Sequence, residues 1–546
     1  MKRILALILA MATATMLLAS CGGSSDSNGT ASGDGQSSSS ADSSTFTVAL
    51  DGDIVALDPA FAYDFTTNLV VLQITQGLVA FDQNNEVVPV LAKSWEAVDD
   101  TTYVYEIRDD VTFSDGTPMT MDDVIFSIER IMNPDTGSYL QWTTTKIDSI
   151  EQTGDWELTV HLTEPYSQFK YVFATTAGHV ISKAYYEAHA DNFGTAEGGI
   201  MGTGAYVYDS WTSGQEIVLK KNENYWNKEK TPAIDTIVYK VIPEDTSRVT
   251  ALQTGDVDFT AATPQDMLDT LYADDNLDIQ TIETKGVTLI AFNTQRAPMN
   301  DVNVRKAIAS AINLEDIQAN VIKDAGEAAT CMPNSKVLYT IEPEKWEEYV
   351  ANTDYCKYDL EKAKEYMAQS DYPDGLEINM IISDNSLRYS IALAIQEALK
   401  EINITLNLVQ VSGDEHTAYQ SGEILDENGD RDYDMILCGW EADYPDISGN
   451  IEPLYASYNA GEGGFNAAVF KNDQVDEYIN AQATSLDDKE RNDDMFKLMD
   501  IVNDEQPYYN IFYPTKQFTM NKKFTGLTIN DSWNMNMFFE DVKLAE

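Results

Sequence analysis

Cysteine and histidine are scarce in this chain, with four of each among 546 residues. Cys21 stands alone near the start. Cys331, Cys356 and Cys438 leave an odd number downstream, room for one disulfide and one free thiol in a pairing that spacing alone does not give. No Cys-x-x-Cys occurs, and His161, His179, His189 and His416 form neither His-Glu-x-x-His nor another metal spacing. A zinc site is therefore not indicated. His161 alternates within a strand pattern and reads as structural. Positive charge is also in short supply: 35 Lys and Arg face 90 Asp and Glu, a formal net charge of −55. Phosphate recognition needs basic patches, so nucleic acid is excluded as a partner. The acids are spread along the chain and read as solubility. Beyond the leader no apolar run approaches the length of a membrane-spanning helix. There is no Gly-x-Ser-x-Gly elbow and no phosphate loop ending in Gly-Lys-Ser/Thr. Gly202-Thr203-Gly204 fails as a dinucleotide fingerprint, because Val207 holds the third glycine position and a strand pattern follows where that fold needs a helix. Asp426–Asp434 lacks the sixth-position glycine and closing glutamate of a calcium loop, and reads as a solvated acidic turn. No enzyme and no cofactor is expected.

What is present begins at the first residue. Lys2 and Arg3 precede an apolar run from Ile4 to Leu18, interrupted only by Thr13 and Thr15. The run is too short for a stop-transfer helix and has the layout of an export signal. Leu18-Ala19-Ser20-Cys21 resembles a bacterial lipobox, in which the cysteine is lipidated and becomes the new N-terminus. Residues 1–20 are then a cleaved signal peptide and Cys21 the lipid attachment site. Across residues 22–44, Ser or Gly fills 15 of 23 positions, with no aromatic or large aliphatic residue. Such a segment buries too little apolar surface to offset its ordering entropy, so 21–44 is expected to be a flexible tether. The remaining chain would work outside the cytoplasmic membrane, held to it by lipid.

About 500 residues follow, too many for one core, so two or three lobes are expected. Strand and helix patterns interleave throughout. Thr45–Leu50, Tyr103–Ile107 and Trp156–Leu162 alternate as strands. Asn68–Leu78 has helical spacing with a stop at Gly77. Thr120 sits where an N-cap should, ahead of Asp122 and Asp123, and opens a helix to about Arg130. Ala205–Trp211, Glu216–Lys220 and Ile234–Val241 are strands, followed by a helix to Gln253 that stops at Gly255. Val287–Phe292 is a strand and Asn303–Ala311 a helix. Helix Leu387–Ile402 leads to strands Thr405–Val411 and Asp434–Leu437, and Tyr508–Tyr513 returns as a strand. The alternation argues for mixed α/β lobes.

Seven strings in order carry a resemblance. They are Leu57-Asp58-Pro59-Ala60, Pro89–Glu96, Phe113–Pro118, Gly202–Tyr206, Asn222–Trp226, Asn293 with Asn303–Ile308, and Trp440–Asp446. Together they resemble the family 5 extracellular solute-binding proteins, the oligopeptide-, dipeptide- and nickel-binding receptors of ABC importers. The resemblance implies a two-lobed periplasmic-binding-protein fold (Venus-flytrap, type II, cluster C), with an extra region inserted in the first lobe. The first-lobe body would be 45–75, 195–285 and 510–546, the insertion 76–194, and the second lobe 286–509. It implies a monomer that captures short peptides in the inter-lobe cleft and passes them to a membrane permease and its ATPase. The lipobox and tether suit Gram-positive members anchored at the extracytoplasmic face.

The resemblance also assigns roles. A buried peptide main chain needs hydrogen-bond partners, expected from strand-like segments at Tyr63-Asp64-Phe65 and Gly439-Trp440-Glu441, with Gly439 admitting close approach. Asp443 would meet the ligand ammonium, and Arg388 its carboxylate. Trp440 and Tyr139 would wall side-chain pockets, whereas Trp95, Trp211 and Trp226 read as core. Leu437 stands where some relatives carry a second cation, which leaves peptide length open. The alternative is the same fold holding a nickel chelate, haem or an oligosaccharide.

Overall fold

The computed structural model describes residues 44–331, 341–355, 357–446 and 448–546. Cys21, the tether up to residue 43 and Cys356 lie outside them. Cys331 and Cys438 are both free thiols, and both are buried.

A mixed sheet of 12 strands forms the spine. In chain order these are β1 (Thr45–Leu50), β2 (Tyr206–Thr212), β3 (Glu216–Lys221), β4 (Thr236–Val241), β5 (Phe259–Thr260), β6 (Leu277–Glu283), β7 (Gly286–Phe292), β8 (Gly326–Ala328), β9 (Leu376–Ser383), β10 (Ile404–Val411), β11 (Met435–Glu441) and β12 (Tyr508–Asn521). Their spatial order is β2-β3-β4-β1-β5-β12-β7-β11-β9-β10, with β6 and β8 also paired to β12. β12 joins the two lobes. Tyr508, Tyr509, Asn510 and Phe512 pair antiparallel with β7, while Thr515–Asn521 pair with β6. The sequence pattern stops at Tyr513 because Pro514 and the polar run Thr515-Lys516-Gln517 follow; the strand runs on to Asn521.

Separate apolar cores flank this spine. One packs Phe46, Val48, Tyr206, Ile217 and Tyr239 beneath the first-lobe strands. A second fills a region with its own four-stranded antiparallel sheet and includes Tyr103, Tyr105, Val124, Ile128 and Phe169. Two more cover opposite faces of the second-lobe strands, with Ile290, Phe292 and Leu437 on one side and Leu289, Ile436 and Cys438 on the other. That division follows from the two-residue side-chain period of β7 and β11. The result is a two-lobed α/β periplasmic-binding-protein fold.

Local chemistry accounts for the helices that frame the cleft. Helix α1 (Phe65–Ile74) begins where Asp64 accepts from the Thr67 amide at 2.8 Å. The helix therefore starts earlier than Asn68, and Gln76–Gly77 leave it to pair with His179–Val180. Helix α2 (Met121–Met132) is opened by a capping box in which Thr120 and Asp123 bond reciprocally. Helix α3 (Ser386–Leu399) is capped by Asn385, and α4 is the helix Gly413–Gln420. Asp58 explains the Leu-Asp-Pro-Ala string. It caps the turn Pro59–Phe61 and forms a buried two-pronged pair with Arg130 of α2, at 2.6 and 3.2 Å. Among the described residues no helix is long and apolar enough to cross a membrane.

Candidate ligand-binding cleft

A cavity of about 370 Å³ opens between the start of α1 and the segment that follows β11. Tyr63, Asp64, Phe65 and Asn68 line one side and Glu441, Asp443 and Tyr444 the other, with Leu140, Trp142 and Asn534 between them. A second cavity of about 380 Å³ shares Trp142, Asp443 and Tyr444, so the space continues past Asp443.

Two aspartates of the Trp440–Asp446 string have opposite environments. Asp446 is buried, yet Arg491 at 2.6 Å and Ser448 hold its carboxyl below the usual carboxylate range. It is a structural ion pair. Asp443 forms no ion pair among the described residues. Burial pushes its carboxyl up, and the Tyr63 hydroxyl, donating to Oδ1 at 2.9 Å, opposes this in part. Glu441 is likewise pushed up by burial, against the pull of Lys285 and Lys516. Lys285 is committed to the main-chain oxygen of Asp531.

The main chain of β11 adds a further feature. β9 covers β11 only at Met435 and Ile436. Beyond that point His416 contacts the Leu437 carbonyl at 3.0 Å, and Gln420 donates to the Gly439 carbonyl at 2.9 Å. Both side chains belong to α4. The alternation of an antiparallel strand puts the main chain of Glu441 next on that edge, beyond the end of α4.

Arg388 lies over Gly439. A Cβ at Gly439 would stand 2.9 Å from Nη2 of Arg388, so the glycine makes room for the guanidinium. Sequence reasoning had reserved that space for the ligand backbone. Burial lowers the Arg388 pKa, and among the described residues its guanidinium makes no ion pair. Arg388 does not line the 370 Å³ cavity.

Trp440 and Tyr139 are placed elsewhere. The indole of Trp440 packs on Phe465, with centroids 5.0 Å apart, and donates to the Gly449 carbonyl at 2.8 Å, on the opposite face of β11. Tyr139 stands edge-on to Phe61 and is half exposed, outside the cavity lining. Its neighbours Leu140 and Trp142 supply the wall instead. Trp142 carried no local signal in its Gln-Trp-Thr-Thr context. Asn68 did: it and Gln73 are polar residues on an otherwise apolar stretch of α1. Gln73 bonds the Leu69 and Met537 carbonyls, at 3.1 and 2.8 Å. Asn68 is only 5% exposed and its Oδ1 has no hydrogen-bond partner among the described residues. No group of three or more His, Cys, Asp or Glu side chains among the described residues is placed to hold a metal ion. The Asp426 carboxylate closes its own turn by accepting from Asn428 and Asp430 amides, with Arg296 beside it.

Comparison with known proteins agrees with this architecture. The glutathione-binding protein GsiB of Escherichia coli K12 is 25% identical over 545 residues, covering 98% of each chain. The periplasmic binding protein DppA of Helicobacter pylori, solved with the peptide STSA, superposes with a TM-score of 0.73 at 25% identity, over 92% of this chain and 98% of that one. The substrate-binding protein CtaP of Listeria monocytogenes shares the fold, with a TM-score of 0.79 at 20% identity over 92% and 100% of the two chains. The profile of the bacterial extracellular solute-binding proteins, family 5 Middle, matches residues 86–462. The chain belongs to that family, the extracytoplasmic and non-enzymatic components that deliver solutes to ABC importers.

Proposed function

We propose that this protein captures short peptides, extended between its lobes, and hands them to an ABC permease. The observation that carries the reading is Asp443. It is a cavity-wall carboxylate whose only hydrogen-bonding side chain among the described residues is a phenol. A carboxylate half withdrawn from water is costly until a cation reaches it, and the terminal ammonium of a peptide is such a cation. The uncovered main chain at Glu441 and the segment Tyr63–Phe65 would pair with the peptide backbone. Arg388 would take the carboxylate end, and Trp142 with Phe65 would give side chains an aromatic wall. Tyr139 and Trp440 then act from outside that wall. The named ligands of relatives, glutathione for GsiB and STSA for DppA, support a peptide.

The reading includes the lobe limits given above, a monomeric receptor, and anchoring through Cys21 at the outer face of a Gram-positive membrane. Native mass spectrometry of protein extracted from its own membranes tests the ligand, the monomer and the anchor together, and limited proteolysis tests the lobe limits. Co-purified peptides and a lipid mass on Cys21 are expected. A guest that is not a peptide, or an unmodified Cys21, would refute the corresponding part.

A further inference from the structure

The cavity has more negative charge than a terminal ammonium can answer. Asp64, Glu441 and Asp443 line it, and no Lys, Arg or His does. Asp531 stands beside Glu441; its Oδ1 accepts from Asn85 and its Oδ2 is buried without a partner among the described residues. Two ammonium groups lie in the surroundings. Lys285 donates to the Asp531 carbonyl, and Lys516 lies 5.8 Å over the ring of Phe65. Both attract Glu441 from a distance, and Lys285 also attracts Asp443. Asp64 is exposed and caps α1, so Glu441 and Asp443 are the lining carboxylates that have no ion pair among the described residues and that a guest can answer. The neutral polar groups have the same bias. The side-chain oxygens of Asn68 and Asn534, both in the lining, are buried without a hydrogen-bond donor among the described residues. Unpartnered buried acceptors and unpaired carboxylates are each costly, and a guest rich in N–H groups relieves both at once. The aromatic rings of Tyr63 and Trp142, both in the lining and both partly exposed, suit a cation as well.

We infer that the guest carries two positive groups at one end: the cavity selects peptides whose first residue is lysine or arginine, with Asp443 on the terminal ammonium and Glu441 on the side-chain cation. This rests on the peptide reading above, but a free diamine offers the same paired charges, and the test separates the two. Glu441 is a specificity residue through its side chain, in addition to the main-chain role already given to it.

The test is calorimetric titration of the whole extracytoplasmic protein with three probes: Lys-Ala-Ala, norleucine-Ala-Ala and 1,5-diaminopentane. Norleucine keeps the four-carbon stem of lysine and removes its ammonium. The lysine peptide is expected to bind at least about tenfold tighter than the norleucine peptide, a factor equal to 1.4 kcal/mol. Glu441→Gln, nearly isosteric, is expected to bring that ratio close to one. Equal affinity of the two peptides in the wild-type protein overturns the inference and leaves the peptide reading standing. A ratio unchanged by Glu441→Gln removes Glu441 from it. Diamine binding as tight as that of the lysine peptide retains the paired charges and refutes the peptide. Binding of none of the three overturns both. If the variant does not fold, the wild-type ratio still decides.

Discussion

The Tyr63 hydroxyl donates to Asp443 at 2.9 Å, joining residues 380 positions apart across the cleft. Tyr63 immediately precedes the cap of α1, and Asp443 follows β11 by two residues, so one hydrogen bond ties the two lobes at the point where the ammonium is proposed to bind. Tyr444 reinforces the contact, stacked 5.8 Å from Tyr171 and buried in the apolar core of the region that carries Tyr103 and Phe169. A carboxylate has acceptor sites for several donors, so Tyr63 and an ammonium can share Asp443.

Removing that hydroxyl should loosen the unliganded lobes. A hydrogen bond to a charged group contributes about 1.5–3 kcal/mol, enough to shift a closed population strongly toward open. Tyr63→Phe is expected to raise the radius of gyration of the unliganded protein in X-ray scattering and to leave the liganded value unchanged. Identical unliganded curves for the two proteins would exclude Tyr63 as a latch.

The contact between Gly439 and Arg388 gives a second probe. A methyl at position 439 would approach the guanidinium to 2.9 Å, so Gly439→Ala must displace Arg388. If Arg388 meets the ligand carboxylate, Gly439→Ala and Arg388→Gln should both erase a preference for free over amidated peptide C-termini. Charged hydrogen bonds of about 1.5–3 kcal/mol put that preference at roughly ten- to hundredfold in the wild-type protein. Calorimetry with paired peptides measures it. Retention of the preference in both variants would place the carboxylate elsewhere.

His179 sets part of the acid sensitivity. It is fully enclosed, shares a 2.7 Å contact with Thr75, and burial pushes its pKa down to about 3. An unfolded histidine titrates near about 6.5, so between those values the unfolded chain binds a proton that the folded chain does not. This contribution is complete above about pH 6.5 and is lost as pH falls toward the folded-state value. From pH 7 to pH 5 the linkage amounts to about 2 kcal/mol for this one group. Urea unfolding at the two pH values should therefore show a smaller acid loss in His179→Gln than in the wild-type protein. Equal losses would show that His179 is not the group responsible.

Much of this fold was legible in the residues, for identifiable reasons. The Thr120–Asp123 box, the glycine stop at Gly255 and the alternation of Thr45–Leu50 are local signals that tertiary packing did not override. α1 was misplaced because its cap, Asp64, sits in a stretch without helical periodicity, and because α1 is almost uniformly buried. β11 and β12 were read too short for a different reason: their missed ends carry Gly439 and Pro514, residues that interrupt a strand pattern. The site was legible only in part. The Trp440–Asp446 string pointed to Asp443, but nothing in the sequence separates it from Asp446. That distinction depends on Arg491, which arrives from 45 residues away. Trp142 and Asn534 reach the cavity from segments distant in the chain, so no local pattern marks them.

The central claim is that Asp443 holds the ligand ammonium, and titration of one peptide in free-amine and N-acetylated forms tests it most directly. The wild-type protein should prefer the free amine by an amount on the order of 2–5 kcal/mol, the cost of removing one member of a buried charge pair. The preference should weaken on acidification from a higher pH than an ordinary carboxylate would give, because burial raises the Asp443 carboxyl. In Asp443→Ala the two forms should bind alike. A free-amine preference that survives in Asp443→Ala would contradict the account.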